Sequence, residues 1–90
     1  MNEEISNIIK STQKLSEDAV IIYKEIVEDL IKSETKDNNQ IELTLDYMLS
    51  FCFNDNMLLL YRKLCRYYFD IDPEATVDYI NMYREMWDSE

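Results

Sequence analysis

Apolar positions Ile5, Ile8, Thr12, Leu15, Ala19, Ile22, Ile26 and Leu30 recur at alternating steps of three and four. That spacing draws a single stripe along a helix of 3.6 residues per turn, and it predicts a first helix over about residues 3–33. From Ala19 onward the stripe widens to take in Val20, Tyr23, Val27 and Ile31, as it does where a helix passes from solvent into the middle of a bundle. Ser16 followed by Glu17 and Asp18 is an N-cap pattern that would start a new helix there. The stripe nevertheless runs through Ser16 in phase, which favours one continuous element. The polar stretch from Ser33 to Gln40 then reads as the main loop.

A second helix is expected over about residues 40–53, with Ile41, Leu45, Met48, Leu49 and Cys52 on one face and Leu43, Tyr47 and Phe51 beside it. So little of its circumference is polar that it should be the most buried element. Asn54, Asp55 and Asn56 supply side-chain caps for a third helix over about residues 56–68. Met57, Leu60, Tyr61, Leu64 and Tyr68 share its inner face, with Cys65 and Tyr67 at the margins. Asp72 and Pro73 mark the sharpest boundary in the chain. The carboxylate can cap, proline loses no hydrogen bond at the first helical position, and Glu74 places a negative charge in the first turn. The fourth helix, about residues 73–87, carries Ala75, Thr76, Tyr79, Ile80, Tyr83, Met86 and Trp87 on one face and Glu74, Asp78, Asn81, Glu85 and Asp88 on the other. The pattern therefore predicts an all-α, small single-domain bundle of about four helices with a long first helix, helices two to four packing against its C-terminal half.

Composition supports this fold class. Ninety residues with 47% hydrophobic content can build one core and no second domain. Glycine is absent and proline occurs once. The chain thus lacks the residues that β-hairpins and tight positive-φ turns most often require. Nineteen acids against nine bases give a net charge of −10, which disfavours direct binding to nucleic acid or to an anionic membrane surface. No purely apolar run is longer than Met57 to Tyr61, which is far shorter than the roughly 20 residues of a membrane span. Polar residues follow Met1 where a signal peptide would be basic and then apolar, so Cys52 and Cys65 are expected as reduced thiols in a cytoplasm.

The chemical inventory is narrow. Without histidine the chain lacks the commonest general base, the usual transition-metal ligand and any Ser-His or Cys-His nucleophile pair. Cys52 and Cys65 fall on different predicted helices and form no CxxC half-site. Asp70, Asp72 and Glu74 alternate like the opening of a calcium loop, but Pro73 interrupts them, no glycine follows, and Asn81 stands where a bidentate glutamate would. No Gly-rich phosphate loop is possible. No catalytic residue, cofactor or metal is therefore expected. The second and third helices resemble a helix-turn-helix in outline only, because its recognition helix would approach DNA from a strongly acidic molecule.

What remains is contact chemistry. Arg62, Lys63 and Arg66 fall on the outer side of the third helix, with Leu59 in the middle of the arc. One account makes this arc the electrostatic dressing of a helix end, favoured by the macrodipole and paired with carboxylates such as Asp70 or Glu74. The other makes it a small docking surface. Tyr83 and Trp87 on the fourth helix add side chains of the kind enriched at interfaces. Leu59, Arg62, Lys63, Arg66, Tyr83 and Trp87 are accordingly the candidate partner-binding residues. The expected function is that of a small, acidic, non-catalytic interaction or regulatory protein that contacts another protein or a second copy of itself. The alternative is an acidic nucleic-acid mimic, with Glu74, Asp78, Glu85 and Asp88 imitating a row of phosphates.

Overall fold

Among the described residues, four helices form in the order the periodicity predicts: α1 (Asn2–Lys32), α2 (Asn38–Leu49), α3 (Asp55–Phe69) and α4 (Pro73–Trp87). The computed structural model describes the backbone of residues 2–87 and the side chains of residues 16–87. The expected contributions of Ile5, Ile8, Thr12, Leu15 and Asp88 lie outside the described side chains. Among the described residues there is no strand, and no helix is long and apolar enough to cross a membrane.

Each boundary has a local cause. Glu34 adopts the left-handed conformation at φ 55°, and its N–H and that of Thr35 donate back to the carbonyls of Ile31 (3.1 Å) and Leu30 (3.1 Å). This is a Schellman ending built without glycine. Asp37 accepts from the Gln40 N–H at 3.3 Å and starts α2, so the main loop is shorter than its polar composition implies. Asn54 caps α3 by accepting from the N–H groups of Asn56 (2.9 Å) and Met57 (3.2 Å). Asp72 caps α4 through the Ala75 N–H at 3.1 Å, and its other carboxylate oxygen accepts from the Asn38 side chain at 3.2 Å.

Two elements depart from the sequence pattern. The second helix ends at Leu49, short of residue 53, because the Phe51 and Cys52 N–H groups bond to Met48 (2.9 Å) and Leu49 (3.3 Å) in tight turns. These turns drop the Cys52 side chain into the core. In α1 the buried face is Ser16, Ala19, Val27 and Leu30, with Tyr23 partly covered, whereas Ile22 is 56% exposed and Ile21 64% exposed. The helix is thus rotated from the expected stripe. Ser16 faces inward because its hydroxyl accepts a hydrogen bond from the Asn54 side chain at 3.3 Å.

The organising element is α3, which packs against α1, α2 and α4. The expected arrangement around the C-terminal half of α1 is corrected in that respect. Nor is α2 buried all round, since Leu43 and Tyr47 face outward. Met57, Tyr61, Leu64, Cys65 and Tyr68 give α3 buried side chains along its length. Aromatic tips then tie the elements together, each ring contributing apolar surface and one donor. Tyr67 donates to the Thr35 carbonyl at 2.7 Å, Tyr68 to the Glu42 carboxylate, and Tyr79 to the Glu42 carbonyl at 3.3 Å. Tyr61 donates to the Tyr79 carbonyl at 2.7 Å and so binds α3 to α4.

Candidate functional site

Only Thr76 and Tyr79 of α4 are buried, so α4 rests on α3 along a narrow line and leaves a furrow beside it. That furrow is a groove of about 680 Å³. Its floor is formed by Tyr61, Cys65 and Thr76, all buried, and by Ile80 and Tyr83 from α4. The Tyr61 and Tyr83 rings lie 6.2 Å apart, tilted by 38°, and close the floor between the helices. Leu58 and Phe69 form apolar walls on α3.

Three guanidinium groups rim this apolar surface: Arg62 and Arg66, one helical turn apart on α3, and Arg84 on α4. All three are exposed. No ion pair with another described residue engages any of them, so the pairing expected with Asp70 or Glu74 is not made. Asp70 lines the groove nonetheless. An exposed pair gains only about 0–1 kcal/mol and must immobilise two side chains, which is why proximity alone does not form one. The macrodipole still favours Arg66 in the last turn of α3.

The six sequence candidates separate into groups. Arg62, Arg66 and Tyr83 meet in the groove. Leu59, 61% exposed, and Lys63 lie on the surface of α3 and do not line it. Trp87 stands apart from the groove, at a seam between the end of α4 and the turn after α2. Its Nε1 donates to the Leu49 carbonyl at 2.8 Å and its ring packs on Phe53 at 5.8 Å. Sequence reasoning missed Arg84, Ile80's role in the floor, and Phe69. Arg84 lies one turn beyond Ile80 at the edge of the α4 apolar stripe, so a search for cations flanking that stripe would have found it.

Burial pushes the Cys65 thiol up to about 12, and burial followed by the proximity of Cys65 does the same to Cys52. Both are neutral at physiological pH, and a neutral thiol is a poor nucleophile. Burial likewise pushes the Tyr61 hydroxyl up, so it keeps the proton it donates to Tyr79. The exposed donors of Arg62, Arg66 and Arg84, five N–H per guanidinium, face a ligand together with the exposed Asp70 carboxylate. Comparison with known protein families, with curated proteins and with solved structures finds no match for this chain.

Proposed function

We propose that this protein is a small, non-catalytic interaction or regulatory protein that works through helix-mediated contacts with other protein surfaces, using the groove between α3 and α4. One observation carries the reading. In a chain with nineteen acids, three arginines around an apolar floor have no ion-pair partner among the described residues. Arginine and aromatic side chains around an apolar centre are also the usual composition of binding hot spots. The missing histidine and the neutral, buried thiols speak for contact in preference to chemistry.

The test is affinity capture from cells that express the chain, comparing the wild type with a double variant, Arg62→Glu with Arg66→Glu. A protein retained by the wild type and lost by the variant supports the groove. Capture that is identical for both rejects it. The nucleic-acid mimic is a second reading, favoured by the exposure of Glu74, Asp78 and Glu85 on α4. Salt alone does not separate the two, because an arginine-rimmed groove and a carboxylate row are both screened. Neutralising those three acids does: a mimic loses its target, whereas a groove keeps its partner.

A further inference from the structure

Building on that reading, we infer that the groove between α3 and α4 accepts the outer face of α1 from a second copy of this chain.

The occupant's chemistry is set by the groove: apolar knobs for Leu58, Phe69 and Ile80, and carboxylates for the three guanidiniums. The outer face of α1 has both. Ile21 and Ile22 are adjacent, β-branched and more than half exposed in the middle of a helix. Exposed acids surround them at helical spacing, with Glu17 and Glu25 one turn either side of Ile21, and Asp18 and Asp29 around Ile22. Glu25 and Asp29 are four residues apart, as are Arg62 and Arg66, so the two rows have the same pitch of roughly 5–6 Å. A furrow between two helices is also a natural seat for a third amphipathic helix. Within one copy α1 cannot reach this seat, because its inner face is already committed to α3.

The contact is heterologous: the α1 face of one copy meets the groove of another. Assembly then either closes reciprocally between two copies or continues into a ring or chain. Two molecules of charge −10 repel at long range, and that repulsion is confined to about 8 Å at physiological ionic strength. Association should therefore be strongest at intermediate salt. It should weaken in very dilute buffer, where the net charges repel, and near 1 M, where the contact pairs are screened.

Light scattering after size exclusion, at 0.15 M salt and protein concentrations from about 10 μM to 1 mM, tests this. The wild type should exceed its monomer mass of 10.9 kDa and grow with concentration. Two exposed-site variants follow, Arg66→Glu with Arg84→Glu in the groove, and Glu25→Arg with Asp29→Arg on α1, each checked for unchanged helicity and melting. Either alone should weaken association by on the order of tenfold or more, because attraction at two pairs becomes repulsion. An equimolar mixture of the two should associate again, since the reversed groove of one variant meets the reversed α1 face of the other, and the unchanged groove of the second meets the unchanged α1 face of the first. A wild type that stays monomeric to 1 mM, a reversal without effect, or a mixture that stays monomeric overturns the inference. If the wild type is monomeric while Arg62→Glu with Arg66→Glu still loses a captured partner, self-docking fails and the proposed function stands. If neither groove variant changes anything, both fail.

Discussion

Glu34 holds a left-handed backbone that a residue with a Cβ resists by about 1–2 kcal/mol. Glycine would remove that strain but would lose about 0.5–1 kcal/mol more in conformational entropy on folding. The balance favours glycine, so Glu34→Gly should raise the urea midpoint, by the equivalent of about 0.5–1 kcal/mol, with an unchanged slope. A lower midpoint would show that the Glu34 side chain contributes to the native state in its own right. Tyr61 illustrates the opposite case, a buried hydroxyl with a partner. Tyr61→Phe leaves the Tyr79 carbonyl without that donor and should destabilise by about 0.5–1.5 kcal/mol. The thiols set the pH response. Cys52 and Cys65 ionise near 12 in the folded chain and near their ordinary 9.0 when it unfolds. Between those values the native state binds more protons than the unfolded state, so stability falls as pH rises from about 9 toward 12. Burial also raises Tyr61, Tyr68 and Tyr79, the last two further through the Glu42 and Asp46 carboxylates, and this adds to the alkaline loss. Urea unfolding between pH 7 and pH 11 should be flat at first and then decline. A stability that rose across pH 9–11 would contradict the burial of these groups.

At the scale of the elements, caps were the most legible part of the sequence because they act through local geometry. The Asp72–Pro73 start of α4 and the Asn54 start of α3 lie where their residue types put them. Asn54 does more than a cap requires, since its amide also donates to Ser16 on α1. Asn54→Ala should therefore cost about 1–2 kcal/mol, at the upper end for a cap. Asn54→Asp, which keeps the acceptor and loses the donor, should recover part of that in chemical denaturation. Equal losses for the two variants would mean that the cap acceptor contributes nothing. The same contact explains why α1 departs from its apolar stripe at Ile22. Ile22 is more apolar than Ser16, so periodicity alone turns Ile22 inward, whereas a side chain 38 residues away makes Ser16 the inner position. The early end of α2 was equally hidden. Residues Ser50 to Phe53 contain no glycine or proline, and the turn there follows from where Cys52 finds room in the core.

For the whole molecule, helix count and class were readable because each helix carries its own periodicity. The candidate site was half readable for a related reason. A sequence gives the faces of each helix separately and leaves open the rotation that brings two of them together. Arg62 and Arg66 were therefore visible as an arc on α3, and only the packing of α4 added Arg84 and divided Tyr83 from Trp87. Net charge acts at this scale too. With ten excess negative charges, moving from about 0.02 M to 0.5 M salt should relieve self-repulsion and raise the melting temperature by several degrees. A falling melting temperature over that range would mean that local ion pairs outweigh the net charge.

Trp87 is the chain's one tryptophan, and its indole N–H is bonded to the last carbonyl of α2 while its ring lies on Phe53. Its fluorescence is thus a built-in gauge of a single joint. Circular dichroism reports the helices together, and the indole emission reports whether the tip of α4 is still attached. If the emission shifts to the red at lower urea than the loss of ellipticity, α4 peels away before the other three helices come apart.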